Sequence, residues 1–138
     1  MKQLALALLV LGCCAKQTTT LQWVHLEAKE NEEQAIGAVW ETYQDYADEE
    51  PRVRVPPIVE WIPGEAFDCS FGPKWCRGEY VKRIHLARVA WPRGVRKFSE
   101  TKLAHELCHA YFDVSHDLCR DDLPPVETAN HKLRELGL

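Results

Sequence analysis

The sequence predicts an α+β fold: a long amphipathic helix, then a small, twisted, mostly antiparallel sheet of short strands, then two C-terminal helices. Three observations carry that expectation. Apolar residues recur at helical spacing over Glu30–Asp48, where Ile36, Val39, Trp40, Tyr43 and Ala47 share a face. Pro51, Pro56, Pro57 and Pro63 cut the next stretch into extended pieces, and a run with Tyr80, Val81, Ile84, Leu86 and Val89 follows. Ser99 and Pro124-Pro125, residues suited to helix starts, then precede two further helical segments.

With 138 residues, 46% apolar and 28% charged, the chain has the composition of one globular domain. Its net charge is −4, from 17 Lys and Arg against 21 Asp and Glu. No basic run interrupts that acidic balance, so nothing marks it for nucleic acid. The scarcity of Gly and Met argues against a Gly-rich phosphate loop and a Met-rich groove.

Taken in order, the chain begins with Lys2 and an apolar run from Leu4 to Leu11. A cation ahead of about eight apolar residues has the form of a secretory signal and is too short to span a bilayer. Val10-Leu11-Gly12-Cys13 resembles the bacterial lipobox, with Leu11 standing where that motif usually has a small residue. The resemblance implies a signal over residues 1–12, lipidation of Cys13 and attachment to a membrane of the cell envelope. The alternative is ordinary cleavage after Ala15, giving a secreted or periplasmic protein. Residues 13–20 read as a tether and residues 21–138 as the folded domain.

Leu21–Leu26 is expected to be a first strand. The Glu30–Asp48 helix follows, its acidic first turn favoured by the macrodipole, and should lie against the sheet. Arg52–Val55 and Ile58–Ile62 are expected to be short strands. Gly64–Gly78 reads as a surface loop and Glu79–Trp91 as a single strand ended by Pro92 and Gly94. The next helix runs from Ser99 to about Val114, and the last from Pro124-Pro125 to Gly137.

Export changes the meaning of the cysteines. Beyond Cys13 and Cys14, the domain contains Cys69, Cys76, Cys108 and Cys119, which in an exported protein read as two disulfides. Three pairings are possible. The local one, Cys69–Cys76 with Cys108–Cys119, is the simplest. A zinc site made of all four is disfavoured, because no CxxC is present.

The helix after Ser99 contains His105-Glu106-Leu107-Cys108-His109, an H-E-x-x-H motif. Four residues are about 400° of helix, so both imidazoles project from nearly one side and can share a metal ion. Glu106 lies about 100° round, beside the metal but not on it. Leu103, Leu107, Ala110 and Val114 fall on the opposite side, at roughly 140–200°, as a core-facing stripe.

A zinc site needs a third protein ligand, with the fourth position left to water. Phe112 and Ser115 stand where the metzincin pattern requires Gly and His, so that resemblance fails. Glu127 on the final helix is the leading candidate, with His116 and His131 as alternatives. Val126, Ala129, Leu133 and Leu136 form the apolar stripe of that helix and leave Glu127, Asn130 and His131 on an adjoining side. Asp113 is expected to orient an imidazole from behind.

The motif and the order of elements resemble the zincin metallopeptidases, within them the gluzincins, and most of all the stripped-down minigluzincins. That resemblance covers roughly residues 21–138. It implies a zincin-like core: backing helix, small sheet, active-site helix and C-terminal glutamate helix. It further implies Zn²⁺ as cofactor, His105, His109 and Glu127 as ligands, and Glu106 as general base. Glu79–Trp91 would be the edge strand to which an extended peptide or protein substrate adds. Thermolysin-like members precede the ligand Glu with Asn and place a carboxylate one turn later; here those positions are Val126 and His131. His131, His116 and Tyr111 are candidate donors to the developing oxyanion. His25 and His85 read as ordinary histidines, and the Trp residues mainly as core. The alternative to a zinc peptidase is a catalytically silent zincin-fold lipoprotein that binds a partner.

Overall fold

A computed structural model of the chain describes residues 31–49, 54–72, 75–113 and 117–138. The expected signal, the tether with Cys13, the Leu21–Leu26 strand, His25 and His116 lie outside the described residues.

The first helix, α1, spans residues 31–47, within a residue or so of the sequence expectation. Ala35, Val39, Trp40 and Tyr43 form its buried face. The strands are β1 (Ile58–Pro63), β2 (Phe67–Asp68), β3 (Trp75–Cys76), β4 (Gly78–Val81) and β5 (Leu86–Trp91). Two α-helices follow, α2 (Leu103–Phe112) and α3 (Pro124–Glu135). The fold is therefore α+β. Among the described residues no helix is long and apolar enough to cross a membrane.

The main sheet has the order β1-β5-β4. β4 and β5 are antiparallel neighbours, whereas β1 runs parallel to β5 with Ile58 opposite Leu86 and Pro63 opposite Trp91. The longest pairing is thus parallel, which corrects the expectation for a mostly antiparallel main sheet. Among the described residues β1 is an edge strand, and Pro63 closes it where its missing N–H costs no ladder bond. Arg54–Pro57 are not strand, which corrects the expected strand over Arg52–Val55 in its described part.

The expected single strand Glu79–Trp91 is two strands. A 3₁₀ turn at Lys82–Ile84 breaks it, and His85 adopts a left-handed conformation (φ 49°). His85 is held there between the Tyr80 hydroxyl and the Val55 carbonyl, each at 2.8 Å. The break folds the chain back on itself, so that among the described residues β4 is the sheet edge and β5 its centre. Ala87, Val89, Ala90 and Trp91 are all buried, as expected for a strand covered on both faces.

Gly64–Gly78 contains the small antiparallel ribbon β2-β3, closed by a Cys69–Cys76 disulfide. Glu79 fastens this loop to the sheet. Its carboxylate accepts hydrogen bonds from the Ser70 amide (2.7 Å), the Ser70 hydroxyl (3.1 Å), the Phe71 amide (3.2 Å) and Arg88 (3.0 Å).

α2 begins later than expected. Ser99 lies in a 3₁₀ turn and donates its hydroxyl hydrogen to the Leu138 carbonyl (2.9 Å). Thr101 Oγ1 instead accepts from the Leu103 amide at the helix start. α3 starts at the two prolines, and Gly137 (φ 74°) ends the last turn. Val126, Ala129 and Leu133 are buried as expected, while Leu136 is exposed and Leu138 takes the buried place.

Two aromatic groups fill the core. Trp61, Trp91 and Phe98 meet edge to face at 5.1–5.4 Å between centroids. Trp40, Tyr43, Tyr111 and Phe112 join α1 to α2, and the Tyr43 hydroxyl donates to the Ala104 carbonyl. Trp75 departs from the expectation for tryptophans and is 65% exposed.

Candidate metal centre

α2 carries the H-E-x-x-H motif, and its helical geometry explains the placement of each side chain. Leu103, Ala104, Leu107, Cys108 and Tyr111 are buried and anchor it. This leaves His105 and His109 on the more open side, with Nε2 atoms 3.2 Å apart. Two nitrogens bound to one tetrahedral zinc at about 2.0–2.1 Å would stand about 3.3–3.4 Å apart, so the pair has a chelating separation.

Asp121 lies behind His105. Its Oδ1 is 3.1 Å from His105 Nδ1, and its other oxygen pairs with the Lys102 ammonium. Burial alone would raise the Asp121 pKa, but Lys102 and His105 bring it below the usual carboxylate range. An ionised carboxylate can only accept, so His105 Nδ1 carries the hydrogen and the unprotonated Nε2 faces His109 Nε2. Burial, then the neighbouring His109, lowers the His105 pKa to about 4. The imidazole is therefore neutral at ordinary pH, the form that binds a metal.

Glu106 is only 4% exposed. Its side chain passes beneath the start of β4, where a Cβ built on Gly78 would stand 2.3 Å from Glu106 Oε1 and 2.7 Å from its Cγ. Burial pushes its pKa up to about 8, with Glu79 and Asp121 adding and Lys102 opposing. The group thus sits between the two imidazoles in sequence and against the edge strand in space.

The other expected residues are placed differently. Glu127 is exposed on the first turn of α3. His131 is exposed, 3.4 Å from Glu135, in a groove that it shares with Thr42 and Tyr46 of α1. Among the described residues no group of three His, Cys, Asp or Glu forms a metal-holding cluster. The Tyr111 hydroxyl donates to Glu49 (2.8 Å) in a half-buried contact toward α1, which commits it away from an oxyanion. Asp113 caps α2 in a left-handed conformation and binds Lys82 at 2.7 Å. It is Asp121 that orients the imidazole, a correction to the expectation for Asp113.

Cys108 is bonded to Cys119, so no free thiol competes for a metal inside the motif. Sequence reasoning missed Asp121, Lys102 and Gly78. Gly78 carried a readable signal, since a strand glycine often marks a close backbone approach. Asp121 carried none, because it is one of several acidic residues in a loop.

A cavity of about 490 Å³ opens beside Asp121 and Lys102, and Arg77, Arg93 and Asn130 also line it. It adjoins the rear of His105, and neither imidazole lines it. No protein-family model, curated protein or solved structure matches this chain.

Proposed function

We propose that the chain is a zinc peptidase of the zincin type, with a gluzincin-like plan, acting in the cell envelope or outside the cell. The observation that carries this reading is the convergence of His105 Nε2 and His109 Nε2 at 3.2 Å, with Glu106 beside them under the edge strand. The donor set suits zinc at these two positions: a pair of imidazoles, one of them oriented by a carboxylate. Glu127 is the proposed third ligand, and to reach the pair its exposed side chain must turn toward α2. His116 and His131 remain the competing donors.

Zinc held there would lower the pKa of a water molecule and polarise a peptide carbonyl. Glu106, ionised once the zinc charge is beside it, would accept the proton of the attacking water and pass it to the leaving amine. The edge of β4 offers backbone hydrogen bonds to an extended substrate, which would lie across Gly78 and hence beside Glu106. Cys13 would attach the enzyme to a membrane if lipidated.

The test is zinc stoichiometry together with peptide hydrolysis. One zinc per chain is expected, lost in His105→Ala and sharply weakened in Glu127→Ala. Glu106→Gln should keep the zinc and lose hydrolysis by a factor of at least about 100. Full activity in Glu106→Gln would refute the mechanism. A silent binding module predicts partner binding with no turnover in the wild type.

A further inference from the structure

The Cys108–Cys119 disulfide lies inside the metal-binding motif, and its position relative to Asp121 gives it a role beyond stability. Cys108 is three residues after His105 on α2, a rise of about 4.5 Å and roughly 60° round the helix. Its partner Cys119 is two residues before Asp121, and two residues of chain reach at most about 7 Å. With the bonded pair 5.6 Å apart between Cα atoms, residue 121 is confined to the neighbourhood of the His105 ring. Both cysteines are fully buried, so the anchor is rigid.

Within that neighbourhood the two oxygens of Asp121 are taken by Lys102 and His105. The adjacent Asp122 is turned to Arg120 instead, at 3.0 and 2.6 Å. The loop therefore presents one of two consecutive carboxylates to the imidazole, and the disulfide limits how far it can slip.

We propose that the Cys108–Cys119 disulfide is a positioning strut for the metal centre: it holds Asp121 on His105 Nδ1, which fixes the ring tautomer and aims Nε2 toward the point it shares with His109. Asp121 is the positioning residue, and the disulfide acts through it. This rests on the zinc reading for its purpose, whereas the tautomer it predicts exists without any metal.

The experiment is ¹⁵N NMR of the histidine rings in the metal-free full chain at neutral pH, followed by Zn²⁺ affinity from chelator competition. Wild type and Asp122→Asn should show His105 as a single tautomer with the hydrogen on Nδ1. Asp121→Asn and the Cys108→Ala/Cys119→Ala pair should show mixed tautomers and bind Zn²⁺ about 10- to 100-fold more weakly. Combining Asp121→Asn with the cysteine pair should weaken binding no further than Asp121→Asn alone, because both act through one contact.

If removing the disulfide disturbs folding, one Gly inserted between Cys119 and Arg120 keeps the bond and slackens the strut. It should reproduce the Asp121→Asn spectrum. A wild-type His105 tautomer in the Gly insertion or the cysteine variant, or additive losses in the combined variant, would overturn the proposal. If the spectra change as expected but wild type binds no Zn²⁺, the strut stands and the peptidase reading falls.

Discussion

The Gly78 backbone is packed against the carboxylate of Glu106 so tightly that a methyl group at residue 78 would stand 2.3 Å from Glu106 Oε1. This contact joins β4 to α2. It also accounts for the burial of a carboxyl group that ordinarily seeks water.

Gly78→Ala should therefore displace Glu106 and destabilise the protein by about 1–3 kcal/mol, the usual cost of overpacking. Chemical denaturation of Gly78→Ala, Glu106→Ala and their combination checks this. The cost of the methyl group should fall well below 1 kcal/mol or so when residue 106 is already Ala. An unchanged cost in that background would show that the clash lies elsewhere.

The raised Glu106 pKa makes a pH prediction for the metal-free protein. Between the ordinary carboxyl pKa of 4.5 and about 8, the folded chain keeps a proton that the unfolded chain has lost. Stability then falls as pH rises through that window, at up to about 1.4 kcal/mol per pH unit from this group. Glu106→Gln removes the ionisation and should be progressively stabilising relative to wild type from pH 5 to pH 8. Thermal melts in chelator across that range measure the difference, and a pH-independent gap would contradict the assignment.

Glu79 is the clasp between the disulfide loop and β4. Replacing it with Ala leaves the Ser70 and Phe71 amides and Arg88 without a shared acceptor, although Arg88 keeps a contact with Glu60 at 3.4 Å. A loss of about 1 kcal/mol is expected, since the Ser70 and Phe71 donors are exposed and water can take the place of the carboxylate. Limited proteolysis should cut the 64–78 loop faster in Glu79→Ala, while the Cys69–Cys76 bond remains. Equal cleavage rates would mean that the disulfide alone holds the loop.

How much was legible in the sequence depends on the range of each interaction. α1 and α3 were readable because a 3.6-residue period and proline at a helix start are local signals. Both disulfides were readable because the simplest pairing is also the short-range one. The Glu79–Trp91 segment was misread because strand-forming residues continue through Lys82–Ile84. Only the left-handed turn at His85, held by Tyr80 and Val55, divides it.

By itself, the sequence determined that His105 and His109 share one side of a helix with Glu106 beside them. Helical periodicity enforces that arrangement over a single turn, whatever surrounds it. The tertiary structure decided the rest. It chose Asp121 rather than Asp113 to hold the imidazole, laid Gly78 over Glu106, put β4 at the sheet edge, and left Glu127 on an exposed face of α3. Those outcomes depend on how separate elements pack and on which loop a disulfide restrains. Contacts between residues distant in sequence are selected by the energy of the whole core, and no local pattern records them.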